Sequence, residues 1–163
     1  MNTENVLLRI EGMSKNYGQQ AAVDQVSFAI QRGEICGLVG QNGAGKTTLI
    51  RILSGLIFPT TGQLIFPKPV KMGAIIESPT LYPNLSAWDN LMYAALQLSL
   101  ENPTERIKQV LNLVGLGDVD RKKKVKNFSL GMRQRMSIAL AIIDFPEFLI
   151  LDFVSSMSYL PIC

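Results

Sequence analysis

Eight consecutive residues constrain this chain more than any other feature: Gly40-Gln41-Asn42-Gly43-Ala44-Gly45-Lys46-Thr47. Two glycines bracket four residues and are followed by a lysine and a hydroxyl side chain, the pattern of a phosphate-binding P-loop. Composition alone would produce such a match about once in 200 chains of this length. The flanks fit as well. Glu34-Ile35-Cys36-Gly37-Leu38-Val39 reads as a short buried strand of the parallel kind. Thr47–Leu53 has helical spacing that should stop near Gly55, with Pro59 beyond it. In a strand, glycine loop and helix of this kind, backbone N–H groups curl around phosphate oxygens and the helix N-terminus adds positive potential. Gly40, Asn42, Gly43, Gly45 and Thr48 belong to that cradle. Lys46 would reach the β- and γ-phosphates, and the Thr47 hydroxyl would ligate Mg²⁺. The plainer alternative is a glycine-rich turn with a solvated lysine.

Composition narrows the rest. With 163 residues, 47% of them hydrophobic and 18% charged, the chain can bury a core and is not intrinsically disordered. A net charge of +3 is too small to argue for nucleic acid. The absence of His removes His-based acid–base chemistry, Ser/His/Asp triads and most zinc sites. Cys36 and Cys163 form no metal or redox motif, which implies a reducing compartment, with Cys36 expected in an inert core position. Met1–Ile10 has no basic-then-apolar run, and no stretch reaches 18 uninterrupted apolar residues. The expectation is a soluble intracellular domain.

The order of elements predicts an α/β fold. Val6–Met13 and Ala22–Ile30 read as strands about a turn at Tyr17-Gly18, and Gln63–Phe66 and Met72–Glu77 as further short strands. From Ser86 the period becomes helical. Ser86 and Asp89 form a capping pair, ahead of an apolar stripe of Trp88, Leu91, Met92, Ala95 and Leu96. Asn102-Pro103 with Glu105 opens a second helix, whose stripe is Ile107, Val110, Leu111 and Val114, closed by Gly115. Ser129 opens a third helix through Ile143. Phe148-Leu149-Ile150-Leu151 then reads as a buried strand ending in Asp152. An acid there would lie at the strand's carboxyl end, on the sheet edge where Gly40 emerges, and could hold Mg²⁺ directly or through water. It could also simply terminate the strand.

Together, Val39–Thr48, Phe128-Ser129-Leu130-Gly131-Met132-Arg133-Gln134-Arg135 and Phe148–Asp152 resemble the P-loop, signature and Mg-binding strand of ABC-transporter ATPases, in matching order from about residue 6 to 152. The signature reads Ser-Leu-Gly-Met where many members carry Ser-Gly-Gly-Gln. That variant, with Ile76-Glu77-Ser78-Pro79 and Leu81-Tyr82-Pro83-Asn84-Leu85, is similar to bacitracin and lantibiotic-immunity exporters. The resemblance implies a P-loop NTPase fold with an antiparallel β edge region and a helical subdomain at about 81–130. It implies ATP and Mg²⁺ as cofactors and ATP hydrolysis coupled to export of a peptide antibiotic or similar compound.

Further roles follow from the resemblance. Tyr17 lies where the family stacks a ring on adenine, although ordinary strand packing would also explain an aromatic there. Glu77 occupies the position of the family's loop Gln, beside Mg²⁺ and the attacking water, and could equally be a solvated strand-end acid. With Lys46 it would form the catalytic set. Ser129, Gly131 and Met132 would face the γ-phosphate held by a second copy in a homodimeric sandwich, and Ser129 caps its helix in either case. The helical insert would touch a membrane-spanning permease, holding the chain on the inner face of the membrane. The basic run Arg121-Lys122-Lys123-Lys124-Lys126 reads as a solvated face rather than a lipid or nucleic-acid patch, and no nucleic-acid partner is expected.

After Asp152 the resemblance ends. Phe153 stands where the family places the Glu that activates water, and the family's His switch has no counterpart. The expectation is a partial ABC ATPase domain over 1–152 and a divergent tail over 153–163, lacking the C-terminal part and impaired in hydrolysis. The abrupt break suggests a frameshift. Other readings are a non-hydrolytic nucleotide-binding fragment or a gene remnant. A ribosome-acting ABC protein would carry a second P-loop in tandem, and a GTPase an Asn-Lys-x-Asp motif; neither is found.

Overall fold

The computed structural model describes residues 5–76 and 81–152, in two compact units divided between Met72 and Gly73. Glu77 and Phe153–Cys163 lie outside the described residues.

The first unit is built on a long hairpin. Strands β1 (Val6–Tyr17) and β2 (Gln20–Gln31) pair antiparallel about the turn Gly18-Gln19, where Gly18 adopts φ +60°. Strand β3 (Thr61–Ile65) adds to the other side of β1, giving the order β2-β1-β3. The hairpin extends the expected strands mainly toward its tip, β1 on to Tyr17 and β2 back to Gln20. Helix α1 (Lys46–Leu53) packs on β2 and buries Leu49, Ile50, Ile52 and Leu53. It stops as its sequence requires: Gly55 turns left-handed at φ +74°, its N–H donates to the Ile52 carbonyl, and Leu56 N–H donates to that of Arg51. Two helix-end carbonyls are thereby satisfied.

The hairpin carries bulges, and side-chain hydroxyls accept from backbone amides at two of them. Where the register shifts between Ile10 and Met13, Gly12 N–H donates to Ser27 Oγ at 2.8 Å. Gln25, at φ +48°, donates its N–H to Ser14 Oγ at 2.9 Å. A third irregularity lies near the tip. Asn16 opposes Ala21 and Lys15 opposes Val23, so Ala22 is the extra residue.

In the second unit, strand β4 (Met72–Ile75) begins at the boundary and pairs with β5 (Phe148–Leu151). Helices α2 (Ala87–Gln97), α3 (Pro103–Leu113) and α4 (Leu130–Ala141) enclose one core that includes Trp88, Leu91, Ile107, Val110, Leu116 and Met136. Ser86 caps α2 reciprocally: its Oγ accepts from Asp89 N–H at 3.1 Å and donates to Asp89 Oδ2 at 2.7 Å. One polar side chain is held inside this unit by design of the loop around it. Asn90 is buried, accepts from Tyr82 N–H at 2.8 Å, and donates to the carbonyls of Tyr82 at 3.1 Å and Ser86 at 2.8 Å. Each of its groups finds a partner, which makes a buried amide tolerable.

Four expectations about packing are corrected. Glu34–Val39 forms no strand; Ile35 is 99% and Val39 98% exposed. A strand buried on both faces needs ladder partners on both edges, and none of the described strands pairs with this segment. Cys36, in the same stretch, is therefore exposed rather than a core residue. Leu96 is 65% exposed although Leu91 and Ala95 are buried, because the core side of α2 runs through Trp88, Leu91 and Ala95 and Leu96 turns off it. β5 also departs from continuous burial: Phe148 and Ile150 are buried while Leu149 and Leu151 are partly exposed, the alternation of a strand covered on one face.

Candidate functional site

The loop Gly40–Gly45 leads into the N-terminus of α1, the geometry that a phosphate cradle requires. Gly43 and Gly45 adopt φ +84° and +82°, where a side chain is strained. At Gly45 the demand is steric as well. A Cβ there would lie 2.0 Å from the Ala22 carbonyl oxygen and 3.5 Å from the Val23 side chain. Ala22 is the bulged residue of β2, so the bulge brings its carbonyl close against the neck of the loop. The hairpin tip and the phosphate loop are thus locked to each other within the first unit.

Lys46, the first residue of α1, folds its amine back over the loop, donating to the carbonyls of Gly40 at 2.7 Å and Gln41 at 2.8 Å. Ala44 N–H donates to the Gln41 carbonyl at 3.2 Å, closing the turn. Gly40 sits against Ala44, whose Cβ would be 3.3 Å from a Cβ placed on Gly40. The first-turn N–H groups of α1, on Lys46, Thr47 and Thr48, have no carbonyl a turn earlier to bind and project from the helix end. Amides, an ammonium group and the Thr47 hydroxyl on one concave loop suit a polyphosphate and the hard cation that accompanies it.

Tyr17 closes the β1 strand two rungs beyond this junction, opposite Gln20, and is 53% exposed. It is exposed rather than packed in a core. Lys15 was not singled out by the sequence reading. It lies on the same side of β1, two residues back, with its Nζ 5.4 Å from the Tyr17 ring centroid. That i, i+2 spacing is the signal that could have revealed it.

The remaining site residues belong to the second unit. Ser129 caps α4, its Oγ accepting from Met132 N–H at 3.2 Å. Gly131 is exposed with open space around it, and Met132 packs against the helical core. Arg135, in the same helix, donates to the Gly115 carbonyl at 2.9 Å and ties the start of α4 to the end of α3. Asp152 follows β5, its N–H donating to the Ile75 carbonyl at 2.8 Å. β5 pairs with β4, and the segment expected as the strand leading into Gly40 is not a strand. No group of three His, Cys, Asp or Glu that could hold a metal occurs among the described residues.

Residues 23–153 match the ABC transporter family. The chain belongs to that family. It is 43% identical over 153 residues to the lantibiotic transport ATP-binding protein SrtF of Streptococcus pyogenes, covering 90% of this chain and 66% of that protein. It is 41% identical to the bacitracin transport ATP-binding protein BcrA of Bacillus licheniformis, covering 91% of this chain and 51% of that one. The ABC chain thus spans half to just under two thirds of the length of these relatives. Among solved structures, an ATP-binding subunit of an ABC transporter aligns with a TM-score of 0.75 at 28% identity, over 90% of this chain and 68% of that one. The cbiO1 protein of Clostridium perfringens, part of the cbiONQ transporter complex, aligns with a TM-score of 0.80 at 25% identity, over 91% and 65%. The P-loop NTPase fold of the ABC type is therefore established, with its antiparallel β region and its helical subdomain.

Tyr82 and Tyr93 meet edge to face at 5.0 Å, both partly exposed, and Leu85 and Leu96 are exposed on the same segment. Hydrogen bonding to Tyr93 raises the Tyr82 phenol above its ordinary pKa. The basic run is exposed, but its cations are not all free: the Arg121 guanidinium lies 3.6 Å from the centre of the Trp88 ring, and Lys123 Nζ 5.8 Å from that of Phe128. No described helix is long and apolar enough to cross a membrane.

Proposed function

We propose that this chain is the ATP-binding subunit of an ABC exporter for a peptide antibiotic or similar compound. It binds Mg-ATP through Gly40–Thr48 and Tyr17 and turns it over weakly. The observation that carries the binding reading is the loop itself: positive-φ glycines, Lys46 folded over the loop carbonyls, and the N-terminus of α1 behind them. Lys46 would exchange its two carbonyl partners for β- and γ-phosphate oxygens, which hold a cation more strongly. Thr47, at the first turn of α1, and Asp152, at the end of β5, would hold Mg²⁺, most of whose ligands in such sites are phosphate oxygens and water. When bound, the ion neutralises charge developing on the phosphates. Tyr17 would stack the adenine. By resemblance to the family, Glu77 would help position water, and the weak turnover follows from Phe153, which can neither accept a proton nor orient water.

The export assignment rests on likeness to SrtF and BcrA, whose names specify lantibiotic and bacitracin transport. Ser129, Gly131 and Met132 would complete the ATP site of a second copy. The Tyr82–Tyr93 pair with Leu85 and Leu96 gives the helical subdomain an apolar surface for a membrane-spanning permease, which would hold the chain at the inner face of the membrane.

Calorimetry of Mg-ATP binding, with phosphate release on the same samples, tests the reading. The parent chain should bind, Lys46→Ala should weaken binding about 30-fold or more through loss of a charge-assisted contact, and phosphate release should stay near background. Equal affinity of the two forms would overturn the site. Robust release that Lys46→Ala abolishes would overturn the weak-turnover part.

A further inference from the structure

Lys15 is the residue that this site adds to the nucleotide-binding set. We propose that it is a positioning residue: it holds the Tyr17 ring in place from one face so that a purine can stack on the other. The inference rests on the reading of Tyr17 as the base platform.

Three observations carry it. The Lys15 ammonium is tethered, donating to the Phe58 carbonyl at 2.9 Å. The segment that supplies that carbonyl is itself laced to β1 on either side of Lys15: Thr60 N–H donates to the Ser14 carbonyl at 2.7 Å, and Asn16 N–H donates to Thr60 Oγ1 at 3.0 Å. From this anchored position the Nζ stands 5.4 Å from the centre of the Tyr17 ring. Tyr17 is the last residue of β1 before the tip turn and is 53% exposed, so without such a contact little would restrict its rotamers.

The geometry gives Lys15 two effects. It orders an otherwise loose aromatic side chain before the base arrives, which lowers the entropic cost of stacking. It also places a cation against one π face, where the ring quadrupole attracts it, and draws electron density away from the face offered to the purine. The location fits the role. Lys15 opposes Val23, next to the bulged Ala22 that abuts Gly45, so the lysine sits on the rung that joins the base platform to the phosphate loop. The distance of its amine from the ring, and its engagement with Phe58, distinguish it from a cation aimed at phosphate.

The test uses calorimetry on the full chain with two probes, Mg-ATP and Mg-tripolyphosphate, which has no base. Lys15→Met should weaken ATP about two- to five-fold, the size of an exposed cation–π contact, and leave tripolyphosphate unchanged. Tyr17→Ala should weaken ATP about five-fold or more. Lys15→Met should add nothing in the Tyr17→Ala background. Lys15→Arg, which keeps a cation and a donor, should bind like the parent and guards against a folding effect of the methionine variant. Equal weakening of both probes by Lys15→Met, additive losses in the double variant, or no change in ATP affinity would each overturn the proposal. Failure of the phosphate-loop reading looks different: the parent chain would then bind neither probe.

Discussion

Replacing Gly45 by Ala separates two costs that the structure assigns to different glycines of one loop. Gly43 and Gly45 share nearly the same positive φ, +84° and +82°, so a methyl group strains both by about 1–2 kcal/mol. At Gly43 nothing lies within 4 Å of the added Cβ, and strain is the whole cost. At Gly45 the added Cβ meets the Ala22 carbonyl oxygen at 2.0 Å, a backbone atom that cannot rotate away. The loop and the β2 bulge must separate, at a further cost of about 1–3 kcal/mol by analogy with overpacked cores. Gly43→Ala should therefore lose about 1–2 kcal/mol and Gly45→Ala about 2–5 kcal/mol. With a urea dependence of about 2 kcal/mol per molar, the second substitution should lower the unfolding midpoint by about 0.5–1.5 M more than the first. Mg-ATP calorimetry on the same proteins should show the larger loss for Gly45→Ala, because the displaced element carries Lys46. Gly131→Ala, in open space at the start of α4, is the contrasting control and should leave stability unchanged or raise it by up to about 1 kcal/mol. Indistinguishable midpoints for Gly43→Ala and Gly45→Ala would mean that the hairpin tip does not brace the phosphate loop.

Other substitutions probe the remaining structure. Asn90→Ala should destabilise the helical unit by about 2–3 kcal/mol, since it strands the Tyr82 N–H and two carbonyls; a thermal shift under about 1 °C would contradict the buried network. Arg121→Ala should uncover the face of the chain's one tryptophan, and acrylamide quenching of Trp88 should rise while the melting temperature falls only slightly. Ile35→Lys should leave the melting transition in place and reduce aggregation, because that side chain is 99% exposed on a stretch of unpaired apolar backbone. Loss of folding in Ile35→Lys would show that the segment is buried.

Much of this protein follows from residues that act over one or two turns of chain. The phosphate loop, the Gly55 stop of α1, the Ser86 and Ser129 caps and the apolar stripe of α3 were legible because each depends on neighbours three or four positions away. Family membership was legible for the same reason, through short motifs in a set order. Where burial depended on distant partners, local pattern misled. Glu34–Val39 has the composition of a buried strand, but hydrogen-bonding partners rather than composition make a strand, and none of the described strands pairs with it. Leu96 completes a helical stripe on paper and faces solvent, and Cys36 is exposed with its segment. Tertiary structure alone decided that a bulge at Ala22 would press a carbonyl against Gly45, and that a carbonyl 43 residues away at Phe58 would anchor Lys15 beside Tyr17. The amino-acid sequence determined which groups could bind a phosphate. The long-range pairing of β1 with β2 and β3 decided which side chains stand next to them, because contacts across a sheet depend on register, and register is set by the whole ladder.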